Sequence, residues 1–173
     1  MELLIVIVII GVVYTLAIGK FQKIGESNMN VDLKNLKQYL RTVPKQVGID
    51  EYKIIRFLCL DDCSSCDVLI DNKKVSKNNS FDAFLDSSVK VYRYDALEGS
   101  IELPQKVYFN TEGIEEDVCF SYEINNKGIG DQVMIEYKDK IYDYSTYIDN
   151  TPVYSSMQEL INAKENIVRE VIR

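Results

Sequence analysis

The first eighteen residues of the chain read MELLIVIVIIGVVYTLAI, and from Leu3 to Ile18 they carry no charge. One carboxylate, Glu2, stands at the head of this run. These sixteen uncharged residues cover roughly 24 Å at a helical rise of about 1.5 Å per residue. A bilayer core of roughly 30 Å needs about 20 residues. The run therefore predicts a membrane-spanning helix that is a few residues short.

The remainder of the chain is long enough for one globular domain with its own core. The 173 residues carry a net charge of −7 and include no histidine. The negative charge disfavours nucleic acid as a direct partner, because phosphate contacts need clustered lysine and arginine. The lack of histidine excludes the usual serine and cysteine triads and histidine metal sites. We therefore expect neither an enzyme nor a bound cofactor.

The residues after the apolar run predict a continuing helix. Apolar side chains recur near helical spacing from Val31 to Val43, and Pro44 ends the pattern. Ser27 and Asn30 are candidate caps for a local restart. We predict one long N-terminal helix, or two helices with a bend, that is apolar on all sides in its first half and amphipathic in its second.

The body of the chain predicts an antiparallel sheet, since it is rich in tyrosine, phenylalanine, valine and isoleucine. Lys138-Asp139 reads as a tight hairpin turn between the last two strands. Residues 80–85 form either a short helical turn or an irregular crossing. The predicted strands are residues 52–60, 68–70, 89–94, 100–103, 106–109, 118–124, 132–137 and 140–144.

The C-terminal residues predict an amphipathic helix. Ser155 or Ser156 is its N-cap, and Glu159 lies in its first turn. We expect this helix to pack on the domain's own sheet, with partner binding as the alternative. Its apolar face comprises Met157, Leu160, Ile161, Ile167, Val168, Val171 and Ile172.

These patterns together predict an α+β fold. A long N-terminal helix, transmembrane in its first half, packs on an antiparallel sheet that the C-terminal helix flanks. The predicted domains are residues 1–27, the transmembrane and assembly helix, and residues 28–173, the globular domain.

The segment from Glu2 to Val12 resembles the N-terminal signature of type IV pilins and type II secretion pseudopilins. Glu2 matches the signature glutamate, and Gly11 matches the glycine that closes the hydrophobic stretch. In that superfamily a short basic leader ends in a small residue, and a phenylalanine follows it. Both are missing here. We expect that Met1 is an internal methionine and that translation starts upstream, which would complete the span.

The resemblance implies a structural role. A carboxylate at the edge of hydrocarbon costs a few kcal/mol unless it is paired. In the family the glutamate neutralises the methylated N-terminal amine of a neighbouring subunit, so Glu2 would set the register of a filament. The transmembrane contact residues would be Leu3, Ile7, Gly11, Leu16 and Ile18.

The implied function is that of a minor pseudopilin in a periplasmic filament that serves type II secretion, a type IV pilus or DNA uptake. The implied partners are homologous subunits, an inner-membrane assembly platform and membrane lipid. Lys20 and Lys23 follow the run, and by the positive-inside rule alone they would keep the domain in the cytoplasm. A basic leader would reverse that balance. We therefore predict a single-pass protein of the bacterial inner membrane with its C-terminal domain in the periplasm.

Four cysteines form the second feature of the chain. Cys59, Cys63 and Cys66 are spaced C-x3-C-x2-C, and Cys119 lies further along. This spacing occurs in iron–sulfur enzymes, and four thiolates also suit zinc. An even number of cysteines in an exported domain favours two disulfides instead. We therefore expect disulfides and no metal.

Four cysteines allow three pairings. The favoured one joins Cys59 to Cys119 across two predicted strands and Cys63 to Cys66 across the turn; the runner-up contains Cys66 with Cys119. A catalytic thiol–disulfide role for Cys63 and Cys66 is less favoured, because their motif lacks the helix start that lowers a thiol pKa.

Acidic residues cluster at residues 61–67 and 112–117. Calcium prefers such oxygen-rich loops, but the spacing of an EF-hand is absent, so solvated loops are the expectation. Two other functions stay open beside the filament subunit: a membrane-anchored periplasmic binding module, and a thiol redox or zinc protein.

Overall fold

The computed structural model describes residues 31–75, 81–110, 113–146 and 150–171. Residues 31–173 form one compact unit. The predicted boundary between residues 27 and 28 lies outside the described residues. The elements of the unit are β1 Ile54–Leu60, β2 Ser65–Ile70, β3 Lys73–Lys74, β4 Phe81–Asp82, β5 Lys90–Asp95, β6 Gly99–Glu102, β7 Lys106–Phe109, β8 Glu115–Asn125, β9 Met134–Tyr137, β10 Lys140–Asp143 and β11 Val153–Tyr154, with helices α1 Leu36–Gln46 and α2 Met157–Val171.

The strands form two antiparallel sheets. The first sheet has the order β3-β2-β1-β8-β7, and β4 also pairs with β2. The second sheet has the order β11-β10-β9-β5-β6. Tyr137 and Lys140 are register partners across the turn, and Lys138 and Asp139 both have positive φ, 49° and 57°. The predicted hairpin turn at these two residues is therefore confirmed.

The predicted fold class is wrong in two respects. The strands lie in two sheets and not in one, and no long N-terminal helix is present among the described residues. Helix α1 has 11 residues, and the chain enters it through a turn at residues 33–35. The first half of the predicted long helix falls on residues 1–30, outside the described residues.

The turn before α1 has a local cause. The Asn35 N–H donates to Asp32 Oδ1 (3.0 Å), and the Asp32 N–H donates to Asn35 Oδ1 (2.9 Å). These two reciprocal bonds hold the backbone in a turn that leads into α1, whose N-cap is Asn35. The predicted caps, Ser27 and Asn30, lie outside the described residues. At the other end Pro44 lies inside the helix. Gly48, at φ +70°, ends it, because the N–H groups of Gly48 and Ile49 donate back to Lys45 and Pro44.

The main core lies between α1 and the two sheets. Strands β1 and β8 bury alternate residues such as Phe57 and Tyr122 on one face. Helix α1 covers this face with apolar residues one turn apart, including Leu36 and Leu40, which are 0% exposed. The second sheet contributes Val133, Ile135, Tyr137 and Tyr144 to the same core.

Helix α2 packs on the second sheet through its first half. The Glu159 N–H donates to Ser156 Oγ (3.2 Å), and the Ser155 N–H donates to Glu159 Oε2 (2.9 Å), which confirms the predicted cap region. Leu160 is fully buried with Met134 and Ile141. Further along, Ile167 is 60% exposed, so the predicted apolar face is only partly covered.

None of the helices in the described ranges is both long enough and apolar enough to cross a membrane. This finding corrects the predicted localisation, a single-pass inner-membrane protein, which the structure does not support.

Candidate functional site

The predicted assembly residues lie in the part of the chain that the structure leaves undescribed. They are Glu2, Leu3, Ile7, Gly11, Leu16 and Ile18. The four cysteines are described, and each of them forms a disulfide.

The disulfide pairing differs from both predicted pairings. Cys59 bonds Cys66, with Cα atoms 4.1 Å apart, and Cys63 bonds Cys119, with Cα atoms 5.5 Å apart. The reason lies in β2, which begins at Ser65 and not at Val68. Cys66 is therefore a strand residue directly opposite Cys59 in the register of β1 and β2, and opposed residues are the nearest neighbours across a sheet.

Cys63 reaches β8 at a bulge. Cys59 pairs with Phe120 and Leu60 pairs with Val118, so Cys119 is the extra residue on β8. Cys63 has φ +65°, which turns it out of the loop between β1 and β2 and towards this bulge. The second disulfide thus ties the loop to the middle of the sheet.

Three of the four cysteines are closed to redox chemistry, while Cys119 is half-buried. Cys59, Cys63 and Cys66 are 0% exposed, so their sulfur atoms are shielded from external thiols, and reactive cysteines need access. Among the described residues no group of three or more histidine, cysteine or acidic side chains is placed to hold a metal ion.

The carboxylates of the loop at residues 61–67 make contacts with nearby residues. Asp62 Oδ1 accepts the Ser64 N–H (2.9 Å), and its hydrogen bonds to Ser64 lower the pKa of the Asp62 carboxyl. Asp67 pairs with Lys74 (2.7 Å). These contacts fit turn formation and surface ion pairing.

A cleft of about 730 Å³ opens between the two sheets beside the bulge. Its walls are residues 89–91 at the start of β5, the connection 103–106 between β6 and β7, residues 118–121 of β8, and residues 131–133 before β9. Val89, Phe120 and Val133 form a buried apolar floor. A volume of this size is typical of ligand sites.

Asp131 is the most constrained charged residue in the cleft wall. Its Oδ2 accepts the Glu123 N–H (3.3 Å), and its own N–H donates to the Glu123 carbonyl (3.0 Å). In the described part of the chain it forms no ion pair. Burial raises the pKa of the Asp131 carboxyl, and nearby Lys106 opposes this effect.

The position of Asp131 depends on the residues beneath it. Gly130 forms an isolated bridge with Ile124 and lies against the buried Tyr122 ring, where a side chain at residue 130 would collide with the Tyr122 hydroxyl. Burial first, and then the negative charge of Asp131, raise the pKa of Tyr122 well above its ordinary value. The close approach holds the 130–131 backbone against β8 and so aims Asp131 into the cleft.

Sequence reasoning missed this cleft. Its charged residues are Asp61, Lys90, Glu102, Lys106 and Asp131, which are scattered over seventy residues and share no motif. Gly130-Asp131 lies in the loop between β8 and β9, and as a local pattern it indicates a turn alone.

Searches of protein-family models, curated proteins and solved structures found no match to this chain.

Proposed function

We propose that this chain is a structural subunit of a pilin- or pseudopilin-type filament. The observation that carries the proposal is the N-terminal signature: Glu2 heads an uncharged run that reaches Ile18, with Gly11 inside it. A carboxylate buried among packed apolar segments is costly unless a cation pairs with it. The amine of a neighbouring subunit would supply that cation and fix the register between subunits.

The surface of the described unit supports assembly with other subunits. β7 is an edge strand, and its side chains Val107 and Phe109 are 51% and 59% exposed. Ile114, in the turn that joins β7 to β8, is 55% exposed. An exposed apolar edge strand is a template for pairing with another chain, and a neighbouring subunit would cover it.

The disulfides support a compartment compatible with such a filament. All four cysteines are paired in disulfides, which persist in an oxidising environment and are rare in reducing ones. Type II secretion, a type IV pilus and DNA uptake remain three alternatives for the machine that the filament serves.

The decisive experiment replaces Glu2 and compares filament yield in the native host. We expect Glu2→Ala to lower the sheared, high-molecular-weight fraction by about tenfold or more, because an unpaired amine would remain next to the apolar runs. Glu26→Ala is the matched control, since it removes the same charge beyond the run, and it should assemble normally.

Equal filament yield from both variants, with both proteins present at the same level, would contradict the filament role. The chain would then be better described as a binding module, a function that the cleft between the sheets favours.

A further inference from the structure

The lining of the cleft suits a ligand that has both polar and apolar groups. Its floor is apolar, while Ser121 and Gln132 offer hydrogen-bonding groups at its wall. Ligand sites combine an apolar lining with a few placed polar groups in this way. A ligand with both an apolar side chain and amide groups would match the two parts of the surface.

The charged side chains of the cleft indicate that its ligand carries a positive charge. Among the charged side chains of the lining, Asp131 is the one that is partly buried, and the others are exposed. Its Oδ2 accepts one long hydrogen bond, and its Oδ1 accepts none from the described residues. A partly desolvated carboxylate with a vacant acceptor gains most from a cation that donates hydrogen bonds.

We propose that this cleft binds an extended peptide segment that carries a single lysine or arginine, whose cation pairs with Asp131. The exposed charges of the lining, Asp61 and Glu102 against Lys90 and Lys106, cancel in number and leave Asp131 over. The two lysines would still repel a ligand that carries several cations. One cation flanked by neutral amides and an apolar side chain avoids that repulsion and uses the floor. The site lies wholly in the described unit, so the proposal does not depend on filament assembly.

Lys106 is the competitor for this carboxylate. Its charge is the largest influence that lowers the pKa of Asp131, yet Lys106 is exposed and makes no ion pair with Asp131 among the described residues. If the cation of a bound ligand pairs with Asp131, removal of the Lys106 charge strengthens ligand binding. If Lys106 is itself the natural partner of Asp131, its removal lowers stability and does not improve binding.

The test measures peptide binding to the full-length chain by fluorescence polarisation. The probes are three labelled pentapeptides, Ser-Leu-X-Leu-Ser with X as lysine, norleucine or glutamate. We expect the lysine peptide to bind about tenfold tighter than the norleucine peptide, as for a hydrogen-bonded charge pair, and the glutamate peptide to bind most weakly. Asp131→Asn should reduce the affinity for the lysine peptide to that for the norleucine peptide. Lys106→Gln should raise the affinity for the lysine peptide a few-fold.

Asp139→Asn is the matched control. It makes the same carboxylate-to-amide change at an exposed hairpin turn outside the cleft, and it should leave binding unchanged. Thermal unfolding of each variant verifies that it is folded. Equal affinity for the lysine and norleucine peptides, binding of neither, or full lysine binding by Asp131→Asn would each overturn the proposal, as would a Lys106→Gln variant that loses both affinity and stability.

Discussion

Gly130 lies so close to the Tyr122 side chain that a Cβ atom at residue 130 would stand 2.0 Å from Tyr122 Oη and 2.7 Å from Cζ. The Tyr122 hydroxyl is buried and has no hydrogen-bond partner among the described residues. The contact is therefore steric, and it fixes how closely the loop before β9 approaches β8. It also sets the position of Asp131 in the cleft.

Gly130→Ala should destabilise the chain by about 1–3 kcal/mol, the range for overpacking a dense core. Urea unfolding of the variant and the wild type measures the difference. Tyr122→Phe alone should change stability little, because no residue in the described part of the chain hydrogen-bonds this hydroxyl. In the double variant the phenylalanine should recover part of the loss, and a double-mutant cycle with no coupling would contradict the steric account.

Asp131→Asn should stabilise the folded chain at neutral pH. Burial raises the pKa of this carboxyl above its ordinary value of 3.8, so the folded chain holds the proton more tightly than the unfolded chain does. Stability must then fall as pH rises from 3.8 through the folded pKa. We expect a gain at pH 7 of less than about 1 kcal/mol, since the carboxyl is partly solvated, and no gain at pH 3.

Chemical denaturation at these two pH values checks the sign. A variant that is less stable than wild type at pH 7 would show that the Asp131 carboxylate stabilises the fold. That result would contradict its proposed role as a group that awaits a ligand cation. A gain of equal size at both pH values would show that the carboxyl charge is not its cause.

The two disulfides should contribute unequally. Cys63–Cys119 joins residues 56 apart and Cys59–Cys66 joins residues 7 apart. Chain-entropy estimates give about 4 kcal/mol for the longer loop and about 2 kcal/mol for the shorter one. Paired Cys→Ala variants, compared by urea unfolding, measure both values. Equal losses, or a larger loss for the Cys59–Cys66 pair, would contradict this order.

Helix α2 should depend on one buried ion pair. Lys164 Nζ lies 3.0 Å from Asp143 Oδ2, and the side chains are 17% and 2% exposed. Lys164→Ala leaves the Asp143 carboxylate buried without its cation, which costs about 3 kcal/mol. The control Arg169→Ala breaks an exposed pair with Glu165 and should cost less than about 1 kcal/mol.

Thermal unfolding measures the stability of the two variants, and hydrogen exchange of the α2 amides measures the local stability of the helix. If Lys164→Ala and Arg169→Ala unfold at the same temperature, the buried pair does not anchor the helix.

The local patterns of the sequence predicted several elements well. Residues 106–109 form β7 as expected, and the Lys138-Asp139 turn joins β9 to β10. These features depend on the alternation of side chains and on turn chemistry, which neighbouring residues determine. The division into two sheets depends on pairings between distant strands, such as β5 with β9, and no local pattern encodes it.

The errors at the cysteines and in the cleft have the same origin. A three-residue error at the start of β2 removed Cys66 from the strand and with it the correct partner for Cys59. The cleft residues meet only after both sheets have formed, so spacing along the chain gives no sign of them. The predicted helix runs through residues 33–35, where the structure has a turn, because the reciprocal bonds of Asp32 and Asn35 compete with helix formation.

Site-specific photo-crosslinking through the N-terminal run tests the filament role most directly. A benzophenone amino acid placed at Ile7 in the native host should give a ladder of crosslinked multimers, which Glu2→Ala abolishes and Glu26→Ala preserves. The same group at the exposed Leu97, in the hairpin between β5 and β6, provides a reference outside the run. A crosslink pattern at Ile7 that shows monomer alone, or that Glu2→Ala leaves intact, would contradict the account.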